Sequence, residues 1–312
     1  MTPARSPALH LVWLRLSLFV WLLTATATCL LTQAVATRSD QVAFASDRSG
    51  NWDIYLLDLA KGITHNLTAH PADDRAPAWS PDGRRLAFLS YRQTNAFADI
   101  YILDMRTGTL QRITTGQHND YRRVVWSPDG QDFVHTPGYG AIHIMDINAQ
   151  ADRPLSYGFG PSWSPDGTYI VYYANQRGDL NSDIYALSVD GRELVNFTAH
   201  GANDWSPAWS PDGAHIAFVS NRGGNADIYT LSTICLTADQ PCADSTRRLT
   251  DHPRTDTSPA WSPDGQRLAF VAAQADGSSI YMIDTTADHI SEPQRLVGGP
   301  GENRAPAWRP QR

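Results

Sequence analysis

The 312-residue chain has few charged residues and only three cysteines. Charged residues make up 18% of it and aromatic residues 10%, which is typical of a packed globular protein and unlike a disordered one. The formal net charge is -7, and residues 1–36 hold two arginines and no acidic residue, so the remainder is more acidic still. A nucleic-acid partner would need clustered Lys and Arg. We therefore expect no nucleic-acid partner.

The sequence also lacks the motifs of several enzyme classes. It has no Gly-x-Ser-x-Gly elbow, no His-Glu-x-x-His pair and no glycine-rich phosphate loop. After residue 36 it has no long segment with the period of an amphipathic helix. We expect an all-β protein with no cofactor and no metal. No residue is assigned a catalytic role, and whether the protein is an enzyme stays open.

Residues 1–36 have the features of a signal peptide. A mostly apolar run covers residues 16–31, and small residues at 34–36 fit a cleavage site. The alternative is an uncleaved membrane anchor over residues 9–31, in which Arg15 would be costly. We predict an extracytoplasmic protein that is periplasmic, secreted or membrane-anchored, with membrane contact only through that segment.

Two cysteines, Cys235 and Cys242, follow the leader (residues 1–36). Their spacing is too wide for a Cys-x-x-Cys redox motif, and no second pair exists that could complete a zinc site. An even pair in an exported chain indicates a disulfide. We predict that this disulfide closes a loop.

The pentapeptide Trp-Ser-Pro-Asp-Gly repeats along the chain. Successive copies lie roughly 40–50 residues apart, a period that indicates a repeat architecture. Ser-Pro-Asp-Gly is turn chemistry, because proline fixes the backbone angle at the second position and glycine suits the last. Five complete copies and a degraded sixth begin at Trp79, Trp126, Trp163, Trp209, Trp261 and Trp308.

Each repeat is predicted to form four short antiparallel strands. In one unit they follow Pro77 and cover residues 86–89, 99–104 and 110–114. Such a sheet buries neither face alone, whereas sheets stacked around an axis cover one another. Residues 41–69 hold three strands but lack the tryptophan strand, which residues 305–308 supply. The sequence therefore predicts a six-bladed β-propeller whose first blade is closed by the C-terminal strand.

The repeat resembles the WD-like repeats of TolB-type β-propellers. It runs Leu-Thr, a polar loop, Pro-Ala-Trp-Ser-Pro-Asp-Gly, an Ile-Ala-Phe-type strand and Asp-Ile-Tyr, and it covers residues 40–312. We take residues 37–312 as the propeller domain. TolB itself carries an α/β domain before its propeller and works in an envelope complex; few residues precede the first strand here, so that role is not implied. Related propellers precede serine peptidase domains or act as sugar lyases, and no residue-level match supports either activity.

Binding residues are expected where the loops between blades meet the loops between second and third strands, around the channel. An Asp or Asn recurs there, five or six residues before the tryptophan. As a ring, these residues would bind a cation or a cationic segment; alternatively, each caps its own turn. The candidates are Asp74, Asp120, Asp204, Asp256 and Asn303.

Other side chains of these loops divide into those that repeat and those that do not. Repeating arginines are expected to pair with the third-strand Asp of their own blade, or to bind carboxylates or sugars: Arg48, Arg92, Arg177 and Arg222 with Asp53, Asp99, Asp183 and Asp227. Repeating histidines are expected to be structural: His70, His118, His200 and His252. Non-repeating aromatics are candidate partner contacts, because Trp and Tyr are enriched at binding hot spots: Trp52, Tyr121 and Trp205.

These features predict an exported, monomeric β-propeller that binds a protein or peptide in the cell envelope or outside the cell. The alternative is an extracytoplasmic glycan-acting enzyme or carbohydrate-binding module, so a glycan is the second candidate ligand.

Overall fold

The computed structural model describes residues 40–311 apart from short internal segments. The leader, residues 1–36, lies outside the described part, so the signal peptide and the anchor over residues 9–31 remain predictions. No helix among the described residues is long and apolar enough to cross a bilayer. The undescribed internal residues are 94–95, 116–120, 139, 149–150, 177, 179–180, 237–244, 287–290 and 300, together with the side chains of Tyr121 and Arg122.

The described strands form six four-stranded antiparallel sheets, the blades of a propeller. The first strands of successive blades contact one another and surround a central channel. This confirms the predicted six-bladed fold. From inner to outer strand, blade 1 contains β24 (Asn303–Trp308), β1 (Gln41–Ser46), β2 (Asp53–Asp58) and β3 (Ile63–Asn66), and blade 2 contains β4 (Asp74–Trp79), β5 (Arg85–Ser90), β6 (Asp99–Asp104) and β7 (Leu110–Arg112). In the same order, blade 3 contains β8 (Tyr121–Trp126), β9 (Asp132–Pro137), β10 (Ala141–Asp146) and β11 (Asp152–Tyr157), and blade 4 contains β12 (Phe159–Trp163), β13 (Tyr169–Ala174), β14 (Asp183–Ser188) and β15 (Leu194–Asn196). Blade 5 contains β16 (Asp204–Trp209), β17 (His215–Ser220), β18 (Asp227–Ser232) and β19 (Arg247–Arg248), and blade 6 contains β20 (Asp256–Trp261), β21 (Arg267–Gln274), β22 (Gly277–Asp284) and β23 (Gln294–Val297).

The second strand of a blade is apolar on both sides because neighbouring blades cover both of its faces. In β5, Leu86, Ala87 and Phe88 are all fully buried although their side chains alternate in direction. Hydrophobic clusters consequently lie between blades, and each draws residues from two of them. A blade separated from its neighbours would expose two apolar faces.

The first strand carries a bulge where proline interrupts the ladder. In β4 the pairing with β5 shifts register between Arg75 and Ala78, around Pro77, which has no amide hydrogen to donate. Ala76, before that proline, has a left-handed backbone with φ of 51°. The equivalent residues of four other blades share this conformation: Gly160, Ser206, Ser258 and Ala305. The same shift in register recurs in the inner strands of blades 5 and 6.

The Trp-Ser-Pro-Asp-Gly boxes are structural. Ser127 donates a hydrogen bond to Asp129 at 2.6 Å, and this bond lowers the pKa of the Asp129 carboxyl. The Trp126 indole nitrogen donates to the Ala78 carbonyl of the preceding blade at 3.1 Å, and the Trp79 indole donates to Ala307 at 3.2 Å. In these blades the box therefore makes a turn and joins one blade to the next, whereas the Trp209 indole donates within its own turn, to the Gly213 carbonyl at 3.1 Å.

Both ends of the described chain build blade 1. Strand β24 pairs antiparallel with β1, and Val42 lies opposite Trp308. The degraded box continues this junction, since the Arg309 amide donates to the Gln41 carbonyl at 2.8 Å. The predicted ring closure is confirmed.

Two local predictions need correction, and a third stays open. By sequence, residues 135–140 of the blade between Trp126 and Trp163 take the place of the usual polar loop after the second strand, which predicts a loop there; instead, β9 continues to Pro137 and His135 is fully buried in it. The fourth strand of blade 2 ends at Arg112 and not at residue 114. Cys235 lies in a short 3-10 turn against the blade 5 core, whereas Cys242 is outside the described residues, so their disulfide remains a prediction.

Candidate functional site

The upper face of the propeller is the end of the ring that holds the loops between blades and the loops between second and third strands. The turns of the Trp-Ser-Pro-Asp-Gly boxes lie on the opposite, lower face. Trp52 directly precedes β2, and Trp205 is the second residue of β16; both indoles are partly buried. Asp120 and the side chain of Tyr121 are outside the described part. The other candidates are buried first residues of inner strands: Asp74, Asp204, Asp256 and Asn303.

A repeated arginine covers the buried first-strand residue in blades 1, 2 and 5. In blade 2 the Arg92 guanidinium donates to the Ser90 hydroxyl at 2.7 Å and to the Asp74 carboxylate at 2.7 Å. In blade 5, Arg222 makes the same contacts with Ser220 at 2.8 Å and with Asp204 at 2.9 Å. Blade 1 uses an amide in place of the carboxylate: Arg48 donates to Ser46 at 3.0 Å and to Asn303 at 2.6 Å.

The predicted partners of these arginines were wrong. Arg92 pairs with first-strand Asp74, whereas third-strand Asp99 pairs with Arg112 of β7 at 2.8 Å. Both acids lie opposite Ser90, one on each neighbouring strand. The side chain at position 92 turns toward the inner strand, so the ion pair seals the acid nearest the channel. Blade 5 repeats this arrangement, with Arg248 on Asp227, and Arg177 lies outside the described residues.

Two stacked rings complete the enclosure of each guanidinium. Arg92 lies over Phe88 at 5.6 Å and over Tyr101 at 5.0 Å, within the range of cation–π attraction. Blades 1 and 5 place Arg48 and Arg222 over the equivalent Phe–Tyr pairs. We call this set of Ser, inner-strand Asp or Asn, and Phe–Tyr pair the arginine cradle.

Blade 6 has the same cradle without the arginine. Asp256 is 2% exposed and Phe270 stacks on Tyr281 at 6.0 Å, but Ala272 and Gln274 replace the serine and the arginine. The Asp256 carboxyl lines a cavity of about 400 Å³ on the upper face. No basic side chain among the described residues forms an ion pair with it. Blade 6 therefore offers a buried acid to a solvent-connected cavity.

The missing arginine has an electrostatic consequence. Burial raises the pKa of Asp204 even though the Arg222 guanidinium opposes the shift. Asp256 has no such counter-charge, and burial raises its pKa to about 7, with a smaller contribution from the negative charge of Asp227 and an opposing hydrogen bond from Thr250. The carboxyl of Asp256 thus changes its charge near neutral pH.

Comparison with known families agrees with this architecture. The TolB beta propeller domain matches residues 34–179 and 156–239 of the chain. The chain belongs to the TolB β-propeller family. The TolB crystal structure from Acinetobacter baumannii superposes with a TM-score of 0.74 at 21% identity, covering 90% of this chain and 70% of that one. This likeness shows the fold.

Two relatives mark the extent of the sequence similarity. An uncharacterized protein of Agrobacterium fabrum is 29% identical over 243 residues, or 70% of this chain and 80% of its own length. The Tol-Pal system protein TolB of Francisella tularensis is 25% identical over 170 residues, which cover 50% of this chain and 38% of TolB. The match thus spans less than half of that TolB protein.

The upper ends of the inner strands of this TolB-family propeller carry a position that the repeat does not fix. The residue four positions before the blade tryptophan is arginine in blades 1 to 3 and is different in each of blades 4 to 6: Arg304, Arg75, Arg122, Phe159, Trp205 and Thr257. Two of these arginines lie over the Trp52 ring, Arg75 at 4.9 Å and Arg304 at 5.2 Å. We call these three residues the tryptophan–arginine cluster. The repeat does not require it, since no other blade shows an equivalent set among the residues that the structure describes.

Arg123 lines the central channel where five other blades carry a small residue. It borders a cavity of about 320 Å³ among the inner strands and another of about 480 Å³ toward blades 3 and 4. Burial lowers the pKa of its guanidinium, which the phenol of Tyr173 partly opposes. The channel is therefore cationic at this level, in contrast to the acid of blade 6.

The loop histidines support the backbone. The Nδ1 atoms of His70, His200 and His252 each accept a hydrogen bond, at 3.0 or 3.1 Å, from the amide two residues further on. This is the structural role expected for them, and His118 is outside the described residues.

One group of metal-ligating side chains meets among the described residues. His135, His143 and Asp152 lie side by side on three strands of blade 3, and the carboxylate bonds to both rings at 3.0 and 3.1 Å. Burial acts to raise the pKa of Asp152, but the two histidines outweigh it and hold that pKa below its usual value. These bonds account for the group as a polar link between strands, and we assign it no ligand.

Asp256→Asn is expected to remove a pH dependence of stability. The pKa of Asp256 is about 7 in the folded protein and about 3.9 in the unfolded chain. The protonated carboxyl therefore contributes its full stability to the fold below pH 4, and this contribution is lost as the pH rises through 7. The free energy of unfolding of the variant should therefore exceed that of the wild type by about 2–4 kcal/mol at pH 8.5. Denaturant unfolding at pH 5, 7 and 8.5 measures this. Asp251→Asn is the control, since the Asp251 side chain is 61% exposed, and a constant offset at every pH would contradict the assignment.

Proposed function

We propose that this protein is an exported TolB-family propeller that binds a protein or peptide partner through its upper face. The observation that carries the proposal is the tryptophan–arginine cluster, in which Trp52 is stacked by Arg75 and Arg304. Trp and Arg are the side chains most enriched among binding hot spots. The extracytoplasmic location is part of the proposal and rests on the leader sequence together with family membership.

The lower face offers less to a partner. Its turns repeat the same Ser–Asp hydrogen bond from blade to blade, as in Ser80–Asp82 and Ser210–Asp212 at 2.6 Å. These polar groups are already satisfied within the turn, and their recurrence follows from the repeat. Differences between blades that could specify one partner are concentrated on the upper face.

The glycan-acting alternative is less well supported. Two further carboxyl groups, Asp251 and Glu292, line the blade 6 cavity with Asp256, as an acid–base pair would require. However, Asp251 pairs with Arg248 at 2.7 Å, and the raised pKa of Asp256 follows from the absent arginine. The cavity is thus explained without a reaction.

Site-specific photo-crosslinking tests the proposal in intact cells. A photo-reactive phenylalanine replaces Phe97, a 36% exposed residue in the upper-face loop between β5 and β6. The control carries the same group at Gln131, an exposed residue of a lower-face turn. We expect a discrete protein adduct from position 97 and none from position 131. Equal adducts from both positions, or none from position 97, would contradict the proposal.

A further inference from the structure

Three blades show what an arginine cradle holds when it is complete. In blades 1, 2 and 5 a guanidinium lies over a Phe–Tyr pair at 5.0–5.6 Å and donates to a buried oxygen of the inner strand. The tyrosines of these closed cradles, Tyr55, Tyr101 and Tyr229, are only 4–7% exposed. The guanidinium therefore fills the space between the ring pair, the acid and the loop above it.

Blade 6 keeps the walls of this space and leaves the space open. Its Phe–Tyr pair, Phe270 and Tyr281, has nearly the separation and tilt of the blade 2 pair, 6.0 Å and 24° against 6.1 Å and 23°. Tyr281 is more exposed than its equivalents because no guanidinium covers it. The Gln274 amide does not replace one: its nitrogen donates to the Tyr281 hydroxyl at 3.4 Å and its oxygen accepts from Arg254.

We propose that the blade 6 cavity binds a guanidinium group, supplied by an arginine side chain of the partner that the proposed function assigns to the upper face. In the bound state the guanidinium lies over Tyr281, the ring of the pair that lines the cavity, and donates to the Asp256 carboxylate, as Arg222 lies over Tyr229 and donates to Asp204. The protein thereby accepts from its partner the group that three of its blades supply themselves.

The cavity discriminates in favour of a planar cation. A guanidinium stacks flat on aromatic rings and is weakly hydrated, whereas an ammonium is a compact and strongly hydrated charge. A volume of about 400 Å³ is in the range of small-ligand sites, so it also admits the aliphatic stem of an arginine. Three carboxyl groups and one guanidinium line it, which favours a cationic ligand. The charged or titratable groups facing Asp256 are Asp227, Asp251, His252, Arg254, Tyr281 and Glu292.

Titration calorimetry with two guanidinium probes tests the site. Agmatine represents a free guanidino compound, and the acetylated, amidated tripeptide Gly-Arg-Gly represents an arginine within a chain. The neutral control is the same tripeptide with citrulline, which keeps the shape and loses the charge. We expect both arginine-type probes to bind with dissociation constants on the order of 1 mM, and citrulline to bind at least about tenfold more weakly.

Two variants test whether the probes bind at the arginine cradle of blade 6. Asp256→Asn removes the acceptor charge and should weaken both probes by about tenfold or more. Gln274→Arg combined with Ala272→Ser restores the sequence of the closed cradles, so its own guanidinium should exclude the probes while raising the melting temperature. This second variant keeps the acid and the fold, and unchanged probe binding to it would overturn the proposal.

The affinity should also depend on pH in a defined direction. Because a guanidinium pairs with the ionised acid, binding should weaken on the order of 100-fold between pH 8 and pH 5 if the Asp256 carboxyl titrates near 7. Probe affinity that is flat over this range would contradict a role for the carboxylate.

The outcomes separate this inference from the proposed function. Failure of both probes overturns the guanidinium site, while a crosslinked partner at position 97 would still support binding by the upper face. Binding of agmatine without the tripeptide overturns the arginine-in-a-chain assignment in favour of a free guanidino compound. Binding of both probes, lost in Asp256→Asn, supports the proposal as stated.

Discussion

Arg222→Gln is expected to lower the free energy of unfolding by about 3–5 kcal/mol at pH 8, because it leaves a buried carboxylate without its partner. Asp204 is fully buried, and the Arg222 side chain is 17% exposed, so solvent cannot replace the lost charge. The substitution also removes the cation from the Phe218–Tyr229 pair. Denaturant unfolding measures the loss, which corresponds to a fall in melting temperature on the order of 10 °C.

The loss from Arg222→Gln should shrink in acid. Burial already places the folded pKa of Asp204 above its unfolded value, and removing Arg222 raises it further. The contribution of Asp204 to the stability of the variant is thus retained below the pKa of the unfolded chain and lost as the pH rises through the pKa of the folded protein. The matched control is Asp204→Asn, which copies the Asn303–Arg48 contact of blade 1 and should cost only about 1 kcal/mol. Equal losses of unfolding free energy in Arg222→Gln and Asp204→Asn would show that the unpaired carboxylate is not the cause of the destabilisation.

Removal of residues 303–311 should abolish cooperative unfolding. It deletes β24, leaves the edge of β1 unpaired and removes the Trp308 indole, which is 6% exposed and donates to Ala260 at 3.1 Å. Loss of a single buried tryptophan costs about 3–5 kcal/mol, and whole domains are stable by only about 5–15 kcal/mol. We expect aggregation or a broad transition in thermal unfolding followed by circular dichroism.

A permuted chain is the control for this truncation. It carries residues 303–311 directly before Asp40, joined by a short glycine linker. The Gln311 amide donates to the Asp40 carboxylate in the native chain, so the new connection spans a short distance. We expect the permuted protein to regain a sharp transition near that of the wild type. If the truncated chain alone unfolds as sharply as the full chain, the closing strand is dispensable.

The fold could be predicted from the sequence because its determinants are local and repeated. The period of the tryptophan boxes, the turn residues and the double-sided apolar strands indicated six blades, and the bounds of β6 were predicted to the residue. The prediction for blade 3 was less accurate, because the composition around His135 is typical of a loop. It is buried in β9, where its Nε2 atom bonds to Asp152 of β11 across the intervening strand β10, a contact that the local sequence does not reveal.

The candidate site was harder to predict because it depends on side-chain directions within a blade. The arginine in position 92 has an acid on either side of Ser90, and only the structure shows that it turns to Asp74. The ring of acids was predicted as one set, yet Asp74 and Asp204 are sealed by arginines while Asp256 is open.

The open cradle nevertheless left a signal in the sequence. The tripeptide at the end of the second strand is Ser-x-Arg at residues 46–48, 90–92 and 220–222, and Ala-x-Gln at residues 174–176 and 272–274. Of the two blades with Ala-x-Gln, only blade 6 also carries an inner-strand Asp five residues before its tryptophan, so comparing both positions would have singled it out. Searching for positions that repeat could not, because Asp256 itself conforms to the repeat.

Ring closure by β24 also orders the events of folding. Blades 2 to 6 pair strands that are neighbours in the chain, whereas the pairing of Val42 with Trp308 joins residues near its two ends. Such long-range contacts carry a larger loop-closure entropy and form slowly. During synthesis, strands β1 to β3 must wait until β24 has left the ribosome. The blade whose first three strands precede those of the other five is thus the last of the six to be completed.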